Sequence, residues 1–100
     1  MVKHIILWQL KDELSDQQKN QIRSEIKKGL EDLAGRIDGL VEIHVQDKCL
    51  PSSNADLMLE CTLSDQKALE AYAVNPLHVR VKDSLIAPNV KSRVCIDYEV

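Results

Sequence analysis

Between Val2 and Leu10 almost every position is apolar, and two sets of side chains alternate. Val2, His4, Ile6, Trp8 and Leu10 share one face of a predicted strand, while Ile5 and Leu7 share the other. With apolar groups on both sides, neither face is expected to meet much water. Ser15-Asp16-Gln17-Gln18 then has the form of a capping box, with Ser15 as N-cap and Gln18 reaching back. Ile22, Ile26, Leu30, Leu33 and Ile37 follow at steps of three or four residues. This is the stripe of a long amphipathic helix, whose opposite side carries Asn20, Ser24, Lys28 and Glu31. Asp38-Gly39 closes the segment, glycine suiting a left-handed stop.

The period then falls to two. Val41, Ile43 and Val45 alternate with Glu42, His44 and Gln46, predicting a half-buried strand from Leu40 to about Asp47. Leu57, Leu59, Cys61 and Leu63 alternate with Met58, Glu60 and Thr62 in the next strand. The polar loop between these strands predicts an antiparallel hairpin. Ser64 as N-cap opens a second helix through Ala68, Leu69, Tyr72 and Ala73. Asn75-Pro76 breaks it, and Asn75 can cap a new helix from Pro76 to about Ile86, which Pro88 ends. In the last strand, Val90 to Val100, Val94, Ile96, Tyr98 and Val100 face one way. Arg93, Cys95, Asp97 and Glu99 face the other.

The order β-α-β-β-α-β over residues 1–100 predicts one α+β domain of the ferredoxin-like split β-α-β type, with a four-stranded antiparallel sheet. Helices then cover one sheet face. Ile5 and Leu7 stand on the other, so a homodimer through the open sheet face is expected.

Composition narrows the partners. The chain is 44% apolar and 29% charged, with a net charge of -3. Neither nucleic acid nor an anionic membrane surface is an expected partner, since both need a basic face. The apolar run after Met1 lacks the length of a signal segment or a membrane span, and three cysteines without a C-x-x-C fit a reducing compartment. A cytoplasmic location is expected. Phenylalanine is absent, so the core is aliphatic with Trp8 as its largest member. Cys49, Cys61 and Cys95 read as small core hydrophobes.

Only two tyrosines and three histidines are present, and one of each lies in Tyr72-Ala73-Val74-Asn75-Pro76-Leu77-His78-Val79. Two groups that can move protons thus flank a fixed chain break. His78, in the first turn of a helix, is the candidate general base and Tyr72 its acid partner. His4, between apolar neighbours on its strand face, is the third candidate. Ile6, Trp8 and Val79 are the expected ligand-lining residues. Each also has a plain structural reading: His4 as a satisfied core imidazole, His78 as a capping group, Tyr72 as a packed ring. His44 reads as a surface or dimer-rim group. The Arg93, Asp97 and Glu99 face reads as structural, pairing across the dimer. Three separated histidines without a His-x-x-x-His or Glu-x-x-His pair give no metal-ligand set, and no glycine-rich phosphate loop exists. No cofactor is expected.

Three blocks together resemble the stress-responsive α/β-barrel domain (Dabb) family. They are Met1-Val2-Lys3-His4-Ile5-Ile6-Leu7-Trp8, the run Ser64 to Tyr72 followed by Asn75-Pro76-Leu77-His78-Val79, and Ser92-Arg93-Val94-Cys95-Ile96-Asp97-Tyr98-Glu99. The resemblance implies a ferredoxin-like homodimer whose sheets pack into a dimeric α/β barrel. It also implies a pocket between sheet and helices for a small hydrophobic or carbonyl-bearing molecule. Many such proteins have no established activity, and one plant branch closes polyketide chains without metal or flavin through a Tyr and a His. Those positions correspond here to Tyr72 and His78. The family's usual first His of His-Pro-x-His is Asn75 here, and a further His of the cyclase branch has no counterpart near Leu57. The alternatives left open are a binding protein, a cofactor-free cyclase or lyase, and a non-catalytic stress or interaction protein. Cofactor-independent oxygenases share the architecture.

Overall fold

The computed structural model describes residues 1–100. The strands are β1 (Val2–Leu10), β2 (Leu40–Gln46), β3 (Leu57–Leu63) and β4 (Val90–Glu99). The helices are α1 (Asp16–Glu31), α2 (Gln66–Val74) and α3 (Pro76–Val81), the last continuing as a wider π turn through Lys82–Ile86. The strands form one antiparallel sheet in the order β2-β3-β1-β4, the ferredoxin-like arrangement. No helix is long and apolar enough to cross a membrane.

Alternation in β1 and β3 lays Ile6, Trp8, Leu10, Leu57, Leu59, Cys61 and Leu63 on one side, where they are buried. Ile26 and Leu30 of α1 and Tyr72 of α2 close over them. Ser15 and Gln18 complete the capping box at the start of α1. This helix ends at Glu31, earlier than the apolar stripe predicts. Leu33 and Ile37 still reach the core, but from turns, and between them Gly35 takes a left-handed φ of 76°. Glu31 is not a solvated residue either. Its carboxylate accepts the Val45 N–H at 2.9 Å and the Lys27 ammonium at 2.9 Å, covering a donor of the edge strand β2.

Three further expectations are corrected. The register of β2 shifts between Leu40 and Glu42, so Leu40 turns inward and Val41, at 50% exposure, does not. The N-cap of α2 is Asp65, whose carboxylate accepts the Ala68 N–H at 2.7 Å, rather than Ser64. Of the cysteines, only Cys61 is in the core; Cys49 and Cys95 are exposed, and all three are free thiols.

Gly39 joins α1's trailing turns to β2 with φ 82°, and a Cβ there would lie 2.5 Å from the Ala68 Cβ of α2. A side chain in left-handed backbone costs roughly 1–2 kcal/mol, and the clash adds about as much again. Gly39→Ala should therefore lower the unfolding free energy by about 2–4 kcal/mol, read as a fall in the urea midpoint. An unchanged midpoint would contradict this close approach.

Helices cover the β2-β3-β1 part of the sheet and the start of β4, where Val90 packs against the core, and leave β4 from Arg93 onward exposed on both sides. On its helix-facing side stand Arg93, Cys95 and Asp97, all exposed. On the other side Val94, Ile96 and Tyr98 pair with Leu7, Ile5 and Lys3 of β1. Leu7, Val94, Ile96, Tyr98 and Val100 are all exposed large apolar residues. These two exposed surfaces differ in chemistry, one polar and one apolar.

Candidate functional site

The break at Asn75-Pro76 positions two of the three candidate groups. Asn75 is extended, and its side-chain oxygen accepts the Leu77 N–H at 2.9 Å, starting α3. Tyr72 in the last turn of α2 and His78 in α3 are thereby folded onto each other. Their ring centroids are 4.3 Å apart with planes inclined by 34°. Tyr72 also meets His4 of β1, edge-on at 6.0 Å between centroids and 67° between planes. The three aromatic groups form one row, His4–Tyr72–His78, running from sheet to helix.

Each member has a distinct environment. Tyr72 is 1% exposed, and its hydroxyl has one neighbour, the Cys61 thiol at 3.9 Å. Burial pushes the phenol far above its ordinary range, so it remains an O–H group, and burial likewise pushes Cys61 up to about 12. His78 is half-buried. Its Nδ1 lies 3.3 Å from the Ala73 carbonyl, which can only accept, so Nδ1 carries the proton. Nε2 is then the lone-pair nitrogen of the neutral ring, and no protein group bonds to it. Burial foremost, and then Lys82, His4 and Arg93, hold the His78 pKa below its ordinary value, against the opposing pull of the Ala73 carbonyl. Burial, rather than the helix N-terminus, is the larger cause.

His4 is buried, with Nδ1 2.5 Å from Asp97 Oδ1. No buried side-chain nitrogen or oxygen lacks a partner in the fold. Since Nε2 of His4 has none, that atom keeps contact with solvent. Asp97, on a strand face expected to be structural, thus meets His4 within the chain. Cys95 belongs to the same group: its Sγ is 3.7 Å from His4 Nδ1 and 3.6 Å from Asp97 Oδ1. A signal for both existed. Cys95 and Asp97 are two apart on one strand, hence on one side, and the split β-α-β order makes β4 the neighbour of β1.

Of the expected ligand-lining residues, Ile6 and Trp8 are packed in the core and Val79 is half-buried beside His78. Four surface hollows of about 200 to 420 Å³ exist, and His4, Tyr72 and His78 line none of them. Trp8 borders one of about 200 Å³ with Leu7, Gln9, Ser92 and Val94, on the open sheet face. Another, of about 260 Å³, is lined by Val2, Gln66, Asp97, Tyr98 and Glu99, beside the His4–Asp97 pair.

A four-stranded antiparallel sheet in the order β2-β3-β1-β4, with helices on one face, is the ferredoxin-like α+β class. Within it, the chain belongs to the stress responsive A/B barrel domain family, Dabb, whose family model matches residues 2–100. No curated protein matches the sequence. Among solved structures, a dimeric ferredoxin-like protein of unknown function from Bacteroides fragilis is 28% identical, with TM-score 0.93 over 99% of this chain and 95% of that one. The Arabidopsis thaliana protein At3g17210 is 22% identical, with TM-score 0.79 over 100% and 95% of the two chains. A hydroxynitrile lyase from Passiflora edulis is 18% identical, with TM-score 0.73 over 99% and 92%. The last two likenesses are of fold alone.

Proposed function

We propose that the protein is a homodimer that binds a small carbonyl-bearing molecule beside the His4–Tyr72–His78 row, entering from the uncovered helix-facing side of β4. The observation that carries this reading is the row itself. It presents a neutral imidazole with a free Nε2, a phenol that keeps its proton, and a second imidazole whose Nε2 meets solvent. Arg93 and Lys82 add positive charge near His78, which suits an oxygen that becomes negative during reaction. In such a site Nε2 of His78 removes a proton next to the carbonyl, and the Tyr72 hydroxyl donates to the carbonyl oxygen. This is cofactor-free cyclase or lyase chemistry, and the fold shared with a hydroxynitrile lyase supports the frame's capacity for it.

A non-catalytic stress or interaction protein is the second reading, favoured by the packed Ile6 and Trp8 and by the lack of a hollow at the row. His78→Gln separates the two. The purified full chain is screened against carbonyl compounds and polyketide-like acids by thermal shift and turnover. The substitution should cut turnover by about 10²–10⁴-fold, the range for loss of a general base, while the fold persists. Equal binding and turnover in both proteins would reject the site.

Stability against pH gives an independent readout of the same ring. The His78 pKa is depressed on folding, so the folded chain takes up this proton at lower pH than the unfolded chain does. Its contribution is therefore present above the ordinary value of 6.5 and is lost as pH falls below it toward the folded pKa. Urea midpoints on either side of 6.5 should converge in His78→Gln relative to the parent. An identical acid decline in both would place the ring in water.

A further inference from the structure

We propose that His4, Cys95 and Asp97 form a binding site for a divalent ion of borderline softness, of the Zn²⁺ or Co²⁺ type. Their ligand atoms, Nδ1, Sγ and a carboxylate oxygen, all lie within 4.8 Å of one another. A tetrahedral zinc centre with bonds of about 2.0–2.3 Å keeps its nitrogen, oxygen and sulfur ligands about 3.3–3.6 Å apart. Sγ already stands 3.7 Å from Nδ1 and 3.6 Å from Oδ1. Only the Nδ1–Oδ1 pair, at 2.5 Å, must open, by about 0.8 Å, for an ion to sit between them.

The parts able to move are the right ones. His4 is buried on β1 and fixed, whereas the Asp97 side chain is 42% exposed and can turn or offer its second oxygen. Cys95 and Asp97 project from one side of β4, a strand with no helix above it, so the ion has an entry path and a fourth coordination position open to water. The donor set of one imidazole, one thiol and one carboxylate favours zinc-like ions over magnesium or calcium, which prefer all-oxygen cages. Metal ligands must be deprotonated, so binding releases protons and affinity falls as the solution becomes more acidic. The ion would tie the first strand to the last. The site stands without the proposed turnover, because it is defined by binding alone.

The test uses the full chain, stripped with a chelator and titrated with Co²⁺ without any organic ligand. The expected result is one Co²⁺ per chain, with a thiolate-to-cobalt charge-transfer absorption and visible bands of tetrahedral intensity. Cys95→Ser should abolish the charge-transfer absorption, and Cys49→Ser, at the other exposed thiol, should leave it intact. Asp97→Asn should weaken binding by at least about ten-fold, a direct ligand being worth no less than an outer-shell partner. His4→Ala is avoided as the sole variant, since it leaves a hole in the sheet's packing. No absorption on adding Co²⁺, or absorption that survives Cys95→Ser, overturns the assignment.

Discussion

Ile96→Asp is expected to leave the protein monomeric, as read by sedimentation or light scattering. Ile96 is 60% exposed in the single chain and stands beside Ile5 of β1. Leu7, Val94 and Tyr98 surround it on the same face. Exposed apolar residues scattered singly need no cover, but a contiguous group on one flat sheet does. Each such side chain, once covered, contributes about 1.5–3 kcal/mol. A second copy of the same face would supply that cover symmetrically, with polar groups at the margin, such as Lys3, Glu60 and Glu42, as its rim. A carboxylate at the middle of the patch loses the apolar gain and adds a desolvation cost of several kcal/mol in each protomer. Dissociation should strengthen by at least about a hundred-fold, since every 1.4 kcal/mol is a factor of ten. Val74→Asp serves as control: Val74 is more exposed still but lies on α2, away from this face, and its substitution should not change the mass. If Ile96→Asp remains dimeric while Val74→Asp does not, the sheets are not what pairs.

The strands were legible because burial of one side leaves a period of two that composition reports directly, as in β1 and β3. The same logic failed at Val41, where one extra residue in β2 changes the phase of alternation and no residue type marks the change. Periodicity also records burial rather than hydrogen bonding. Leu33 and Ile37 continue the α1 stripe because they pack in the core, although the helix ended at Glu31. The candidate site was legible only in its local geometry. A proline with a capping Asn before it folds α3 back on α2, and that alone brings His78 to Tyr72. It was illegible where it depends on pairing between chain ends: Asp97 and Cys95 meet His4 only through the β1–β4 register.

Tyr72 decides whether the row is chemistry or packing, and two substitutions divide the question. Tyr72→Ala removes a ring that is 1% exposed and meets both His78 and His4. Loss of a buried aromatic ring costs about 3–5 kcal/mol, a large share of a total stability of about 5–15 kcal/mol. The midpoint of thermal unfolding should fall by more than about 10 °C. That result reports packing and is expected under either reading, and it also frees His78, so lost activity in this variant would say little. Tyr72→Phe keeps the ring and deletes only the hydroxyl. The hydroxyl's one neighbour is a thiol at 3.9 Å, too long for a strong bond, so stability should change by less than about 1 kcal/mol. If the hydroxyl donates to a ligand carbonyl, Tyr72→Phe should weaken binding or turnover by roughly 10–100-fold, the equivalent of one buried hydrogen bond. Unchanged binding and turnover with unchanged stability would remove Tyr72 from the chemistry and leave His78 without its acid partner, which the cyclase or lyase reading does not survive.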